Sequence, residues 1–402
     1  MLKQKKHYFC AKIGKSTMRN FILSFILYFI IGNTFSQIQS GANQIPDYLH
    51  LLQNKRVGVI ANQSSLINNT HLVDSLLSYN INITRVFAPE HGFRGNAEAG
   101  AHLTDGKDLQ TGLPIISLYG KNKKPTREQL GHLDIMVFDL QGVGLRFYTY
   151  ISTLGYIMEA CAENNIPLII LDRPNPNGHY IDGPVLKDDF KSFVGMFPIP
   201  VVYGMTDAEL AQMINNEGWL KNGVQVNLTI IKLKGYTHES SYSLPIKPSP
   251  NLPNFQSIYL YPSLCFFEGT PISVGRGTNQ PFQQIGYPEY SDTSYSFIPH
   301  SISGVSKHPK FENQVCYGLD LHGIYSQINK KPRAINLSYL IKFYKSYKDK
   351  AHFFNPFFDK LAGTNLLRKQ IEAGFTEKEI RKSWEKELVK FKETRSKYLL
   401  YP

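Results

Sequence analysis

From Lys55 onward, apolar runs of strand length alternate with stretches whose apolar residues recur at helical spacing. Residues 55–65, 82–90, 113–120, 133–140 and 167–174 read as strands, and 71–80 and 149–165 as helices. The strands are apolar on nearly every position, so both of their faces must be covered. That pattern predicts an α/β fold with a parallel, Rossmann-like sheet between layers of helices. A capped helix over 206–220 and a strand over 224–234 extend it. The Pro-rich stretch PIKPSPNLPNF (245–255) then breaks the pattern. It places a boundary between a catalytic domain, 37–245, and a smaller C-terminal α+β domain, 246–402, that completes a cleft. In the tail, 375–400, Ile380, Trp384, Leu388 and Phe391 form the buried stripe of a helix whose charges face solvent.

The amino terminus follows a different pattern. Residues 1–36 carry six lysines and arginines and no acid, so half of the net charge of +12 lies there. The apolar run FILSFILYFII (21–31) follows, with Ser36 as a small residue before Gln37. This is the arrangement of a secretory signal peptide, and the run is short for a membrane span. The expectation is an exported protein, periplasmic or extracellular, that meets the membrane only during export. The remaining basic residues are dispersed, which argues against nucleic acid and suits an anionic polymer of the cell envelope. Of the three cysteines beyond residue 36 (Cys161, Cys265 and Cys316), two could pair, and no spacing resembles a metal site.

Parallel sheets place their ligands at the carboxyl ends of the strands. Those ends supply Asn62 and Gln63, Glu90 and His91, Tyr119, Asp139 and Gln141, and Asp172 and Arg173. The window TRVFAPEHGFRG (84–95) concentrates this chemistry, a carboxylate and an imidazole followed by a glycine-bracketed loop with Arg94. A polar turn, with Glu90 balancing Arg94, explains the window alone equally well. Carboxylates at three separate strand ends are harder to assign to turns and caps. Arg146 and Tyr148 follow the strand of Asp139 and face the same rim, while Phe147 and Tyr150 read as packing residues. Farther along, FFEGTPISVGRGTNQPF (266–282) is a glycine-rich loop carrying Glu268 and Arg276.

Several chemistries are excluded by what the chain lacks. The first strand runs into Ala61-Asn62-Gln63-Ser64-Ser65, without the glycines that cradle a dinucleotide pyrophosphate. There is no Gly-x-Ser-x-Gly elbow, phosphate loop or His-Glu-x-x-His pair. A metal held by His91, His102 and Asp105 is a minor alternative, and the expectation is no metal and no cofactor. A carboxyl acid among aromatic platforms and arginine forks suits hydrolysis of an acidic sugar.

VIANQSS, FAPEHGFRG, TGLPIISLYG, VFDLQGVGLRFYTYIST, LDRPNPNG, IPVVYGMTDAELA, YPSLCFFEGTPISVGRGTNQPF and FDKLAGT…LRKQIEAG occur in order from about residue 50 to the carboxyl terminus. Together they resemble the exo-β-N-acetylmuramidase family, once catalogued as a domain of unknown function. The resemblance implies a Rossmann-like domain, a smaller C-terminal domain and an active site in the cleft between them. It also implies release of terminal N-acetylmuramic acid from the non-reducing ends of peptidoglycan fragments, such as muramic acid disaccharides. Glu90 stands in the family's Pro-Glu-His-Gly motif and is the implied general acid. Tyr148, in Arg-Phe-Tyr-Thr-Tyr, is the other implied residue of the reaction centre. One position departs: Gly142 stands where the family usually has an aspartate, leaving Asp139 as the nearest substitute carboxylate.

The expected site therefore has Glu90, Tyr148 and Asp139 at the reaction centre. Asn62, Gln63, His91, Arg94, Arg146, Asp172, Arg173, Glu268 and Arg276 would bind substrate, with an arginine gripping the lactyl carboxylate. The alternatives are a non-catalytic binder of envelope glycan and a hydrolase acting on another bond.

Overall fold

The computed structural model describes residues 38–94 and 105–402. The expected signal peptide lies outside the described residues. Seven strands form the central sheet in the order Gly106–Lys107, Pro114–Ser117, Ile83–Ala88, Val57–Ala61, Ile135–Asp139, Leu168–Leu171 and Leu228–Ile231. All neighbours pair in parallel except the edge strand Gly106–Lys107. Numbered in chain order, the six parallel strands run 3-2-1-4-5-6, the doubly wound Rossmann order.

The alternation of side chains in these strands explains why they are apolar throughout. Ile60, Phe87, Met136, Phe138, Leu168 and Ile170 face one layer, where the helix Tyr150–Glu163 packs. Val57, Val59, Val86, Val137, Ile169 and Leu171 face the other, with Tyr48 and Leu72. The central strands Val57–Ala61, Ile135–Asp139 and Leu168–Leu171 thus have two dry faces, and burial of both is what holds a parallel sheet together.

The helix Asp207–Asn216 begins at a capping box, with Thr206 and Glu209 satisfying each other's backbone N–H groups. The expected strand over 224–234 is shorter than its apolar run, with ladder pairing only at Leu228–Ile231.

The second half carries a three-stranded antiparallel sheet, Gln284–Tyr287, Cys316–Asp320 and Ser296–Phe297, with Cys316–Asp320 in the centre. Its helices end in Glu377–Arg395, whose Ile380, Trp384, Leu388 and Phe391 are buried as the pattern predicts. The core does not stop at the Pro-rich stretch: one apolar cluster runs from Ile60 through Phe147, Phe266 and Phe282 to Phe391. Gln39–Pro402 accordingly form one compact unit. Cys161, Cys265 and Cys316 are all buried free thiols, so no pair among them is joined. Among the described residues no helix is long and apolar enough to cross a membrane.

Candidate active site

A cavity of about 440 Å³ opens beyond the carboxyl ends of the strands Ile83–Ala88, Pro114–Ser117 and Ile135–Asp139. Glu90 and His91 follow the first strand, Tyr119 the second, and Phe147, Tyr148, Thr149 and Tyr150 lie on the path from the third into its helix. The second half closes the space with Tyr261, Glu268, Arg276 and Phe282. The Pro-rich stretch supplies the remaining wall through Ser249, Asn251 and Leu252. What reads as a linker in the sequence is therefore part of the site. A larger hollow of about 690 Å³, lined by Lys124, Leu133 and Ile166, lies at the opposite, amino-terminal end of the strands. Its Lys124 is already paired with Glu159 and Glu163.

Glu90 is half-buried at the cavity wall. Thr149 Oγ1 donates to its Oε2 at 2.8 Å, and the Tyr119 hydroxyl also hydrogen-bonds to it. Beside it His91 adopts φ +74° and Gly92 φ +78°. A left-handed histidine is a mild strain that the surrounding packing must offset, and it turns the chain sharply just after the carboxylate. Burial pushes the hydroxyls of Tyr119, Tyr148 and Tyr150 well above the usual phenol range, and the Glu90 charge adds to the shift at each. All three therefore remain protonated donors at any working pH.

Two of these donors, Tyr148 and Tyr150, both reach the Pro248 carbonyl, Tyr150 at 3.4 Å. Tyr148 donates to the Pro248 carbonyl at 2.7 Å, and its ring meets Tyr150 edge-on at 4.7 Å. Asn62 lies one layer behind the cavity, where its amide donates to the Tyr150 hydroxyl at 2.6 Å and its carbonyl accepts from Ser64. Gln63 reaches the Lys247 and Pro248 carbonyls at 3.4 Å. Both residues thus brace the cavity wall and are absent from its lining.

Glu268 and Arg276 form an ion pair in the part of the lining contributed by the second half. The guanidinium lies 5.2 Å over the Phe282 ring, and its Nε has no hydrogen-bond partner. Lys310 holds this wall from behind, donating to the carbonyls of Phe267 at 3.0 Å, Ile272 at 3.3 Å and Thr270. Burial draws the Lys310 ammonium down to about 8.

The other expected site residues stand elsewhere. Asp139 is fully buried in a bidentate pair with Arg173, Nη2 to Oδ2 being 2.8 Å, and Arg173 also caps the Leu66 carbonyl. Asp139 is therefore no substitute partner for Glu90; among the described residues the other carboxylate lining the cavity is Glu268. Asp172 accepts from the Tyr401 hydroxyl at 2.6 Å and from Ala208 N–H at 3.2 Å, and burial pushes it up to about 7. Arg146 is wholly buried and donates to the carbonyls of Pro184, Ile199, Leu361 and Ala362, which welds the two halves together. Arg94 is held between Asp74 at 3.0 Å and Asp108 at 2.8 Å. Of the arginines expected to grip a carboxylate, the one in the cavity is Arg276.

Gly142 also lies away from the cavity lining. A Cβ built on it would stand 2.6 Å from Asp207 Oδ2, so the carboxylate of the helix Asp207–Asn216 fills the space that a side chain at 142 would enter. The departure at this position concerns a buried contact and leaves the cavity wall intact. Among the described residues no cluster of His, Cys, Asp and Glu could hold a metal. His102 lies outside the described residues, and Asp105 accepts from the Ser117 N–H.

The doubly wound sheet and a cavity of one carboxylate, several phenols and an ion pair define a Rossmann-like protein whose site suits sugar chemistry. The chain belongs to the exo-β-N-acetylmuramidase NamZ family: its amino-terminal domain model matches residues 57–256 and its carboxyl-terminal model 259–401. It is 40% identical over 388 residues to the peptidoglycan β-N-acetylmuramidase NamZ of Bacillus subtilis strain 168, covering 91% of this chain and 92% of that protein. Two crystal structures of DUF1343 family proteins from Bacteroides fragilis NCTC 9343 share the fold. One has a TM-score of 0.84 at 47% identity, the other 0.79 at 30%, each covering 91% of this chain and 99% of its own.

Proposed function

We propose that this protein is an exported exo-acting glycosidase that releases terminal β-linked N-acetylmuramic acid from the non-reducing ends of peptidoglycan fragments. The observation that carries the reading is the placement of Glu90, a carboxyl group at the wall of a cavity walled by phenols and an arginine. In this reading Glu90 gives its proton to the glycosidic oxygen as the bond to C1 breaks and the electron pair leaves with that oxygen. Water then supplies the hydroxyl at C1 and its proton goes back to the site, so the net reaction is hydrolysis. Thr149 and Tyr119 fix the orientation of the donor through their hydrogen bonds to it.

Arg276 is the candidate receptor for the lactyl carboxylate, since Arg94, Arg146 and Arg173 are each committed to partners outside the cavity. Its pairing with Glu268 presents one cationic and one anionic group together, which suits a ligand bearing both a carboxylate and hydroxyls. The signal-like segment before residue 37 is what supports reading the protein as exported.

The test offers a chromogenic N-acetylmuramic acid glycoside and the corresponding disaccharide to the wild-type protein and to Glu90→Gln. Glu90→Gln should lower kcat by about 10²–10⁴-fold with an unchanged melting temperature. Equal release by both proteins removes Glu90 from its role. Tight binding without release by the wild type would instead make the protein a glycan binder.

A further inference from the structure

We infer that Lys310 is the positioning residue that gives this site its preference for an acidic sugar: its ammonium fixes the turn bearing Glu268 and Arg276 and adds an uncancelled positive charge to that pair. The inference rests on the reading of Arg276 as receptor for the lactyl carboxylate. Lys310 stands outside the cavity lining and acts through residues that belong to it. Four carbonyls of one short stretch converge on its ammonium, those of Phe267 at 3.0 Å, Glu268 at 3.5 Å, Ile272 at 3.3 Å and Thr270. Carbonyl oxygens aimed at one point repel one another unless a cation sits between them, so the shape of this turn depends on the ammonium.

The balance of charge points to the same residue. Glu268 and Arg276 neutralise each other, and a neutral pair attracts a ligand carboxylate only weakly. Lys310 spends its hydrogen bonds on uncharged carbonyls, so its own charge is not cancelled by them. The charges of Glu268 and Arg276 both act on Lys310, and by the same Coulomb law its charge acts on them. The chain before Lys310 braces the far end of the loop as well. His300 N–H donates to the Gly277 carbonyl at 2.7 Å, and Pro309 lies so close that a Cβ on Gly277 would stand 2.7 Å from it. Arg276 is thus fastened on both sides along the chain, which fixes where its guanidinium meets a ligand.

The experiment uses the full chain and two free sugars, N-acetylmuramic acid and N-acetylglucosamine, which differ by the lactyl carboxylate. Calorimetric titrations compare wild type with Lys310→Met, Lys310→Arg and Arg276→Gln. Lys310→Met should weaken binding of the acidic sugar about tenfold and leave the neutral sugar unchanged. Lys310→Arg, which keeps the charge and its donors, should stay close to wild type. Lys310 is exposed apart from its ammonium, so neither change opens a core cavity. Should Lys310→Met melt below the titration temperature, Lys310→Gln, whose amide still donates to carbonyls, carries the same expectation. Equal weakening of both sugars by the neutral variants, or of neither, overturns the role of Lys310; loss of the acidic sugar in Arg276→Gln then leaves the reading of Arg276 standing. Unchanged binding of the acidic sugar by Arg276→Gln overturns both.

Discussion

Glu90 and Asp139 end up on either side of one strand. The strands Ile83–Ala88 and Ile135–Asp139 both pair with Val57–Ala61, and both deliver a carboxylate to the same rim. Yet Asp139 is sealed and clamped by two nitrogens of Arg173, whereas Glu90 borders a cavity and accepts from hydroxyls. In doubly wound proteins the ligand crevice lies at the switch point, here between Val57–Ala61 and Ile135–Asp139. In this chain that crevice is stitched shut: Ser65 donates to the Asp139 carbonyl, and Gln141 N–H donates to Ser64. The cavity has moved one strand over, to the end of Ile83–Ala88. A carboxylate at a strand end is thus a position and not yet a role. The role depends on whether a fixed cation or an open space stands opposite it.

The contrast can be broken most directly at Asp139. Asp139→Asn leaves Arg173 charged and buried without its counter-ion, and should cost about 3–5 kcal/mol of stability in a urea titration. Its activity per folded molecule should be close to wild type, the reverse of the outcome for Glu90→Gln. If Asp139→Asn melts normally but fails to turn over substrate, the two carboxylates have been assigned the wrong way round.

A smaller effect is expected at Gly142. Gly142→Asp forces a second carboxyl group against Asp207 in a dry site and should destabilise by about 1–3 kcal/mol. Adding Asp207→Ala should recover much of that loss. Independent, additive effects of the two changes would show that the contact between them does not govern the position.

The last effect is a pH slope. Burial raises Asp207 to about 7 from a usual value near 3.8. The folded state therefore holds a proton that the unfolded chain has released between those values. The stability this contributes is present at about pH 4 and is lost as pH rises to about 7. Subtracting the stability of Asp207→Asn from that of wild type at each pH isolates the group from other titrating residues. A difference that stays flat across the window would show that Asp207 is ionised in the folded protein.

Much of this was legible before folding was considered. The two dry faces of the sheet are written in strands with no polar alternation, and the tail helix in the spacing of Ile380, Trp384, Leu388 and Phe391. The Pro-Glu-His-Gly and Arg-Phe-Tyr-Thr-Tyr motifs carried Glu90, Tyr148 and the neighbouring Thr149 to the rim. The wall from Ser249 to Leu252 was not legible, because proline-rich composition marks an irregular path without saying what the path lies against. Phe193, which also lines the cavity, was equally silent, since a single aromatic in a loop has no period to set it apart from ordinary surface.

The sequence by itself determined the layering of the fold, the order of its elements and the set of polar residues that arrive at one rim. These follow from periodicity and strand direction, which are local properties of the chain. Only the tertiary structure decided which of those residues are spent. Arg146 and Arg173 read alike as candidate forks, and each finds its partners elsewhere in the chain: the carbonyls of Leu361 and Ala362, and Asp139. Burial is what makes such pairings obligatory, because a charged group taken from water must find its counter-charge or its carbonyls inside the protein. Glu268 and Arg276 line the same cavity as Glu90 because a continuous core draws the two halves together around them.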